Sequence, residues 1–364
     1  MTPGDALMRA ICENPRDDLP RLVYADWLEE NGQPGRAAFL RKELDIYARP
    51  EWDRERLRYE RAIRDLPGRS EAHPWARPVG VGLPRWAYHS RWPVLRRGFP
   101  WSVGVDDLAA LSGPAAGELF DRVPVENLDL RHVPDVGRLA TNPRLARLTG
   151  VSWRNGHAGP RPAAAFGGSP YLAGLRGLGL AAGSLTAEGL AALVRTPVFR
   201  GLTAFDGDRL PPRLVRALLD GPGPGPRLTS LSLRAAPLGD EGFGLLLAAG
   251  LRAGPESLCL AGTGLNAARV EVLAGTAAIA GLRVLNLSAN PVGNAGAAAI
   301  AASPHLPNLL VLDLSYCQVG DDGVRAILDS PPADRLVMLD LTGSPASAET
   351  KQELTARMGD RVRV

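Results

Sequence analysis

Lysine is all but missing from this chain: Lys42 and Lys351 are the only two among 364 residues. Neither precedes Ser or Thr, which excludes a phosphate-binding P-loop in its usual form. Cysteine is nearly as scarce. Cys12, Cys259 and Cys317 are an odd, scattered set, unlike a disulfide framework, so a reducing, cytoplasmic setting is expected. The five histidines (His73, His89, His132, His157, His305) share no spacing suited to a metal, and no Cys-x-x-Cys occurs. Neither a metal nor another cofactor is expected. Gly-x-Ser-x-Gly and His-Glu-x-x-His are absent too. The carboxylate pairs Asp17-Asp18, Asp106-Asp107 and Asp321-Asp322 fall at predicted helix starts or turns, where capping accounts for them better than acid–base work. No catalytic residue stands out, and the chain is expected not to be an enzyme. No window approaches the roughly 18 uninterrupted apolar residues of a membrane span. The opening Met-Thr-Pro-Gly-Asp-Ala-Leu-Met-Arg has neither the charged start nor the apolar stretch of a signal peptide.

What is present is a globular composition, 45% hydrophobic and 22% charged, with 41 Gly and 32 Pro. The net charge of +3 is unevenly shared: residues 1–35 carry −4, residues 36–97 carry +7, and the remainder balances. Trp27, Trp52, Trp75, Trp86, Trp92 and Trp101 all precede the region where leucines take over. Composition therefore changes near residue 100, which argues for two differently built parts.

From residue 125 onward one pattern recurs, Leu-x-x-Leu-x-Leu followed three residues later by a small or polar side chain. Its clearest copies are Leu282/Leu285/Leu287 with Asn290, Leu309/Leu312/Leu314 with Cys317, and Leu336/Leu339/Leu341 with Ser344. The middle position recurs at Leu178, Phe205, Leu231, Leu258, Leu285, Leu312 and Leu339, at spacings of 26 or 27. Val151 lies 27 residues before Leu178, Leu128 lies 23 before Val151, and Val103 and Val105 start a degenerate first copy. The second half of each copy keeps register in the column Asp240, Asn294, Asp321, just ahead of apolar stretches, where it is expected to cap each helix N-terminus. Each copy thus predicts a short strand, a turn and a helix. Strands stack about 4.8 Å apart and packed helices about 8–10 Å, so such a stack must curve with strands inside. The pattern is similar to ribonuclease-inhibitor-like leucine-rich repeats over about residues 125–345. That resemblance implies helices on the convex side. Copies around Gly177, Gly179 and Gly183, and around Phe205-Asp206-Gly207, depart from the pattern and are expected to be flatter or more mobile than the last four. The Gly221–Pro226 run reads as a connector.

The column Thr263, Asn290, Cys317, Ser344 reads as side chains bonding turn backbone, with Cys317 a buried member and not a nucleophile. Strand alternation points the residue between the last two leucines, and those just after, to the concave side. That wall includes Asp129, Ser232 and Cys259, and its candidate partner-binding residues are Arg131, Arg154, Asp206, Arg234, Asn286, Asp313, Tyr316 and Asp340. A solvated face with no dedicated partner is the plainer reading of the same residues.

Before the array, residues 5–14, 20–31, 36–48 and 51–66 each predict a helix. The stretch Asp17-Asp18-Leu19-Pro20-Arg21-Leu22-Val23-Tyr24-Ala25-Asp26-Trp27-Leu28-Glu29-Glu30, then Asn31-Gly32 and Arg36-Ala37-Ala38-Phe39-Leu40-Arg41, resembles the small repeat-companion domain of planctomycete-type bacterial proteins. That resemblance implies a bacterial cytoplasmic protein and brings no activity with it. Tyr24, Trp27 and Leu28 are expected to be core. The fold expected is α/β: a leucine-rich-repeat solenoid with a curved one-sided parallel sheet, preceded by a small all-α domain. The expected division is 1–66 helical, 67–98 an irregular connector capping the first repeat, and 99–364 solenoid with a C-terminal cap. The expected function is a scaffold binding a protein partner on its concave face, without membrane contact. Nucleic-acid binding through residues 36–97 is the less favoured rival, and regulation of an enzyme such as a GTPase, a role known among similar repeats, is another. Oligomeric state is not fixed by the sequence.

Overall fold

The computed structural model describes residues 2–50, 53–64, 87–89, 95–105, 108–111, 114–133, 135–219 and 227–364. Trp52 and Leu66, most of the predicted 67–98 connector, Asp106-Asp107 and the Gly221–Pro226 run lie outside them. The chain divides into two compact units, residues 1–176 and 177–364.

The first unit opens with α1 (Pro3–Glu13), α2 (Leu19–Glu30), α3 (Pro34–Ala48) and α4 (Arg54–Arg64). A reciprocal box starts α1: Asp5 N donates to Thr2 Oγ1 at 3.1 Å, and Thr2 N to Asp5 Oδ2 at 2.8 Å. Ahead of α2 it is Asp17, accepting from Leu19 N at 2.9 Å, that holds the entry, while Asp18 pairs with Arg97 at 3.6 Å. Ile11, Tyr24, Ala25, Leu28, Ala37, Leu40 and Leu44 form one core with Phe99, and half-buried Trp27 stacks on Tyr24 at 5.6 Å between ring centres.

Phe99 reaches that core from a hairpin. After β1 (Ala87–His89), β2 (Leu95–Arg96) pairs antiparallel with β3 (Phe99–Pro100) through Arg97 and Gly98. Both turn residues have positive φ, 53° and 78°, as a two-residue hairpin turn demands. A Cβ at Gly98 would also meet Leu40 Cδ1, and that side chain would have to shift. Next, β4 (Ser102–Val105) pairs antiparallel with β1 and parallel with β5 (Asn127–Arg131), after α5 (Pro114–Phe120). β5 then pairs parallel with β6 (Gly150–Arg154), which α6 (Pro160–Gly167) follows. Arg147 donates to Cys12 O and Phe120 O, both at 2.7 Å, closing the carbonyl end of α1.

The return from β5 to β6 departs from the expected α-helix: 3₁₀ turns span Val136–Thr141 and Pro143–Arg147. This copy is 23 residues long, and a 3₁₀ turn rises about 2.0 Å per residue against about 1.5 Å for an α-helix. Four fewer residues therefore cover a comparable return.

The second unit repeats strand and helix: β7 (Gly177–Ala181), α7 (Ala187–Leu193), α8 (Pro197–Arg200), β8 (Ala204–Asp208), α9 (Pro212–Leu219), β9 (Ser230–Ser232) and α10 (Gly239–Leu245). There follow β10 (Ser257–Cys259), α11 (Ala267–Ala274), β11 (Val284–Asn286), α12 (Gly293–Ala301), β12 (Val311–Asp313), α13 (Asp321–Leu328), β13 (Met338–Asp340), α14 (Ala348–Met358) and β14 (Val362–Arg363). Strands β7 to β14 lie side by side in chain order. Leu178, Phe205, Leu231, Leu258, Leu285, Leu312 and Leu339 stand opposite one another in successive pairs, and all are buried.

The copies at β7 and β8 form full strands. Their strands run five residues, against three in β9 to β13. Phe205 fits its column because Gly207 yields: a Cβ on Gly207 would lie 2.7 Å from Leu210 Cδ1 and 3.2 Å from the Phe205 ring.

The Asp240/Asn294/Asp321 column also differs from expectation. These residues lie in the first turn and reach forward one repeat. Asn294 Oδ1 accepts Gly320 N at 2.7 Å, Asp321 Oδ1 accepts Ser347 N at 2.6 Å, and Asp240 pairs with Arg269 at 2.5 Å. At the far end Arg361 donates to the carbonyls of Ala333, Asp334, Leu336, Arg357 and Met358.

Candidate interaction surface

Alternation along each strand leaves one row of side chains facing out between two buried leucines. In the second unit that row runs Gly179, Asp206, Ser232, Cys259, Asn286, Asp313, Asp340 and Arg363, each in register with the next. The chain leaves the strands through a left-handed residue. His132, Arg209, Ala235, Ala289 and Tyr316 all have φ between 50° and 55°, and Gly262 (64°) takes the same place. The reason is a bond to the next repeat: Ala289 N donates to Ser315 O at 2.8 Å, and Tyr316 N to Thr342 O at 2.7 Å.

Within that frame the acidic positions have work inside the molecule. Asn286 Oδ1 accepts the N–H and hydroxyl of Ser288 at 2.9 and 2.7 Å. Asp313 Oδ1 accepts those of Ser315 at 3.0 and 2.7 Å, and Asp340 Oδ1 accepts Thr342 N at 2.9 Å. Each is an Asx-type turn closing its own strand. The amide of Asn286 also donates to Asp313 Oδ2 at 2.7 Å, and Arg363 stands 3.9 Å from Asp340. Tyr316 is different. Its side chain is among the largest apolar groups left in the open, 64% exposed, with its ring over Gly343 of the following repeat. Asp206 is half-buried and Arg234 exposed, two strands or more from that group.

Arg131 and Arg154 belong to the first unit, side by side on β5 and β6. Between them lies Asp129, 0% exposed, with Arg154 Nε at 3.4 Å and Arg131 Nη2 at 3.7 Å. The eight candidate residues thus form a compact group only at Asn286, Asp313, Tyr316 and Asp340, with Arg131 and Arg154 as a second pair. The Asx turns and the burial of Asp129 were not read from the sequence. The recurring Ser or Thr two residues after the acid was the signal for the former.

The ladder behind the face is backbone-directed. Asn290 accepts Gly264 N and Leu265 N and donates to Leu260 O and Leu287 O; Cys317 Sγ donates to Leu287 O at 3.0 Å. Burial pushes the Cys317 thiol up to about 11, so it stays a protonated donor. Cys259 is half-buried on the strand face. In the basic region, Arg41 pairs with Asp26 and Glu29, Arg49 with Asp45 and Glu55, and Arg56 with Glu60. Among the described residues no cluster of His, Cys, Asp and Glu could hold a metal ion, and no helix is long and apolar enough to cross a membrane.

The protein family described as Leucine Rich repeat matches residues 282–301 and 305–328, the β11 and β12 copies. No curated protein is significantly similar in sequence to this chain. Among solved structures it is similar to a chain in the crystal structure of the Rad7 and Elc1 complex in yeast, at 16% identity and a TM-score of 0.41, over 68% of this chain and 72% of that one. With its leucine columns in register, strand by strand, the fold is a leucine-rich-repeat solenoid with a helical N-terminal region.

Proposed function

We propose that the chain is a non-enzymatic scaffold that binds a protein partner on the strand face, centred on Asn286, Asp313, Tyr316 and Asp340. The observation that carries this reading is Tyr316, a large aromatic kept open on a position of unfavourable φ amid side chains that are otherwise tied down. A platform fixed by Asx turns loses little ordering entropy on association, and tyrosine is enriched at binding hot spots. Asp206 and Arg234 would extend the contact along the second unit, and Arg131 with Arg154, held by buried Asp129, form a separate candidate patch on the first. The helices before residue 66 fit a repeat-companion domain of bacterial type, with 67–98 its connector and 99–364 the solenoid. Three free cysteines, two of them buried, support a reducing, cytoplasmic setting.

A pull-down from the native host would supply the partner, and calorimetric titration would test the site. The double variant Asp313→Asn, Tyr316→Ala keeps an acceptor for the turn while removing charge and ring. Affinity is expected to fall by about 2 kcal/mol or more, with stability lowered by no more than about 1 kcal/mol. Unchanged affinity would move the site elsewhere.

A further inference from the structure

Glu43, on α3, lies where three elements meet and is 1% exposed. Its Oε1 accepts the hydroxyl of Tyr59 on α4, and its Oε2 accepts Gly98 N, in the β2–β3 turn, at 3.4 Å. Among the described residues the other charged and titratable groups around it are Lys42 and Tyr47 on α3, Arg56 and Glu60 on α4, and Arg96 and Arg97 beside the turn. The cations are engaged elsewhere. Lys42 lies over the Tyr59 ring, Arg56 and Arg96 over the Tyr47 ring, and Arg97 pairs with Asp18. Glu60 pairs with Arg56 and adds negative charge nearby. The carboxyl therefore sits in a buried junction whose donors, the Tyr59 hydroxyl and the N–H groups of Arg97 and Gly98, are all neutral.

We propose that Glu43 is a proton-operated latch, holding α4 and the hairpin turn against α3 when protonated and letting α4 lift away when ionised. A buried carboxylate lacking a cation gains most by reaching water, and α4 carries the Tyr59 hydroxyl that lies against it. Burial pushes the Glu43 carboxyl up to about 7, against 4.5 for an ordinary glutamate, while Tyr59 and the turn N–H groups pull it down. The closed form thus binds the proton more tightly, and opening releases it. A rise from pH 6 to pH 8 should then raise the opening equilibrium of α4 about tenfold.

Hydrogen–deuterium exchange of the full chain at the two pH values, corrected for the intrinsic rate, reads this directly. Peptides within 54–64 should show the tenfold increase in the wild type, and strands β9 to β13 should not. Glu43→Gln should abolish the increase. Tyr59→Phe, which removes a donor to the carboxylate, should move the midpoint to higher pH, and it carries the test should Glu43→Gln fail to fold. The same pH response in wild type and Glu43→Gln would overturn the latch. So would an unmoved midpoint in Tyr59→Phe, or a change spread evenly over the first unit.

Discussion

Asn290 and Cys317 occupy the same place one repeat apart, yet only one is an amide. Asn290 has two backbone donors to satisfy, Gly264 N and Leu265 N. The corresponding donors for residue 317 are gone: Pro291 has no N–H, and Val292 N already bonds Asn290 O at 2.8 Å. A thiol that donates to Leu287 O is enough. Cys317→Asn should therefore bring no gain. Its carbonyl oxygen would find neither of the donors that serve Asn290, and fitting the larger amide into the space of a buried thiol should cost about 1–3 kcal/mol, measured by urea denaturation; a stabilised variant would contradict this account. The sequence made the column and its backbone role legible, because polar residues recurred at fixed spacing behind the leucines. It did not show why the residue changes along the column, since that depends on which neighbouring N–H is already taken. Asp129 was hidden for a similar reason: its position in the repeat matches Asp313, and only the two arginines beside it reveal a buried charge.

At the scale of elements, periodicity located nearly every strand and helix, and it failed where a helix start decides the outcome. Asp240, Asn294 and Asp321 precede apolar runs, as capping residues do. Their helices begin at Gly239, Gly293 and Asp321, so each falls within the first turn. From there the side chain can reach the neighbouring helix entry. Asn294→Ala should remove the acceptor for Gly320 N and cost about 1 kcal/mol. The check is faster amide exchange at Gly320, with Ser347 unaffected because its own acceptor, Asp321, is retained. The 3₁₀ returns of the first unit were implicit in a 23-residue spacing, which the sequence displayed without stating how the missing residues would be absorbed.

At the scale of the molecule, the charge boundary near residue 100 raised nucleic acid as a partner. Arg41, Arg49 and Arg56 are each tied to carboxylates on the same helices or their neighbours. Nucleic-acid affinity is expected to be no better than non-specific, about 10⁻⁴–10⁻⁶ M at physiological salt. A gel-shift titration with submicromolar, sequence-selective retention would reverse that expectation. The forward bonds described for Asn294, Asp321 and the left-handed exit residues carry one further consequence. From Ala235 onward each joins residues 26 apart in neighbouring repeats, whereas the exit bonds of His132 and Arg209 span 22 and 25. A tandem duplication or excision of one whole copy therefore preserves each bond type across the new seam, and a length change survives only where, as in the 23-residue copy, the return between strands absorbs it. The number of copies is free to drift over generations, while the length of a copy changes only in the return, away from the bonded strand exits.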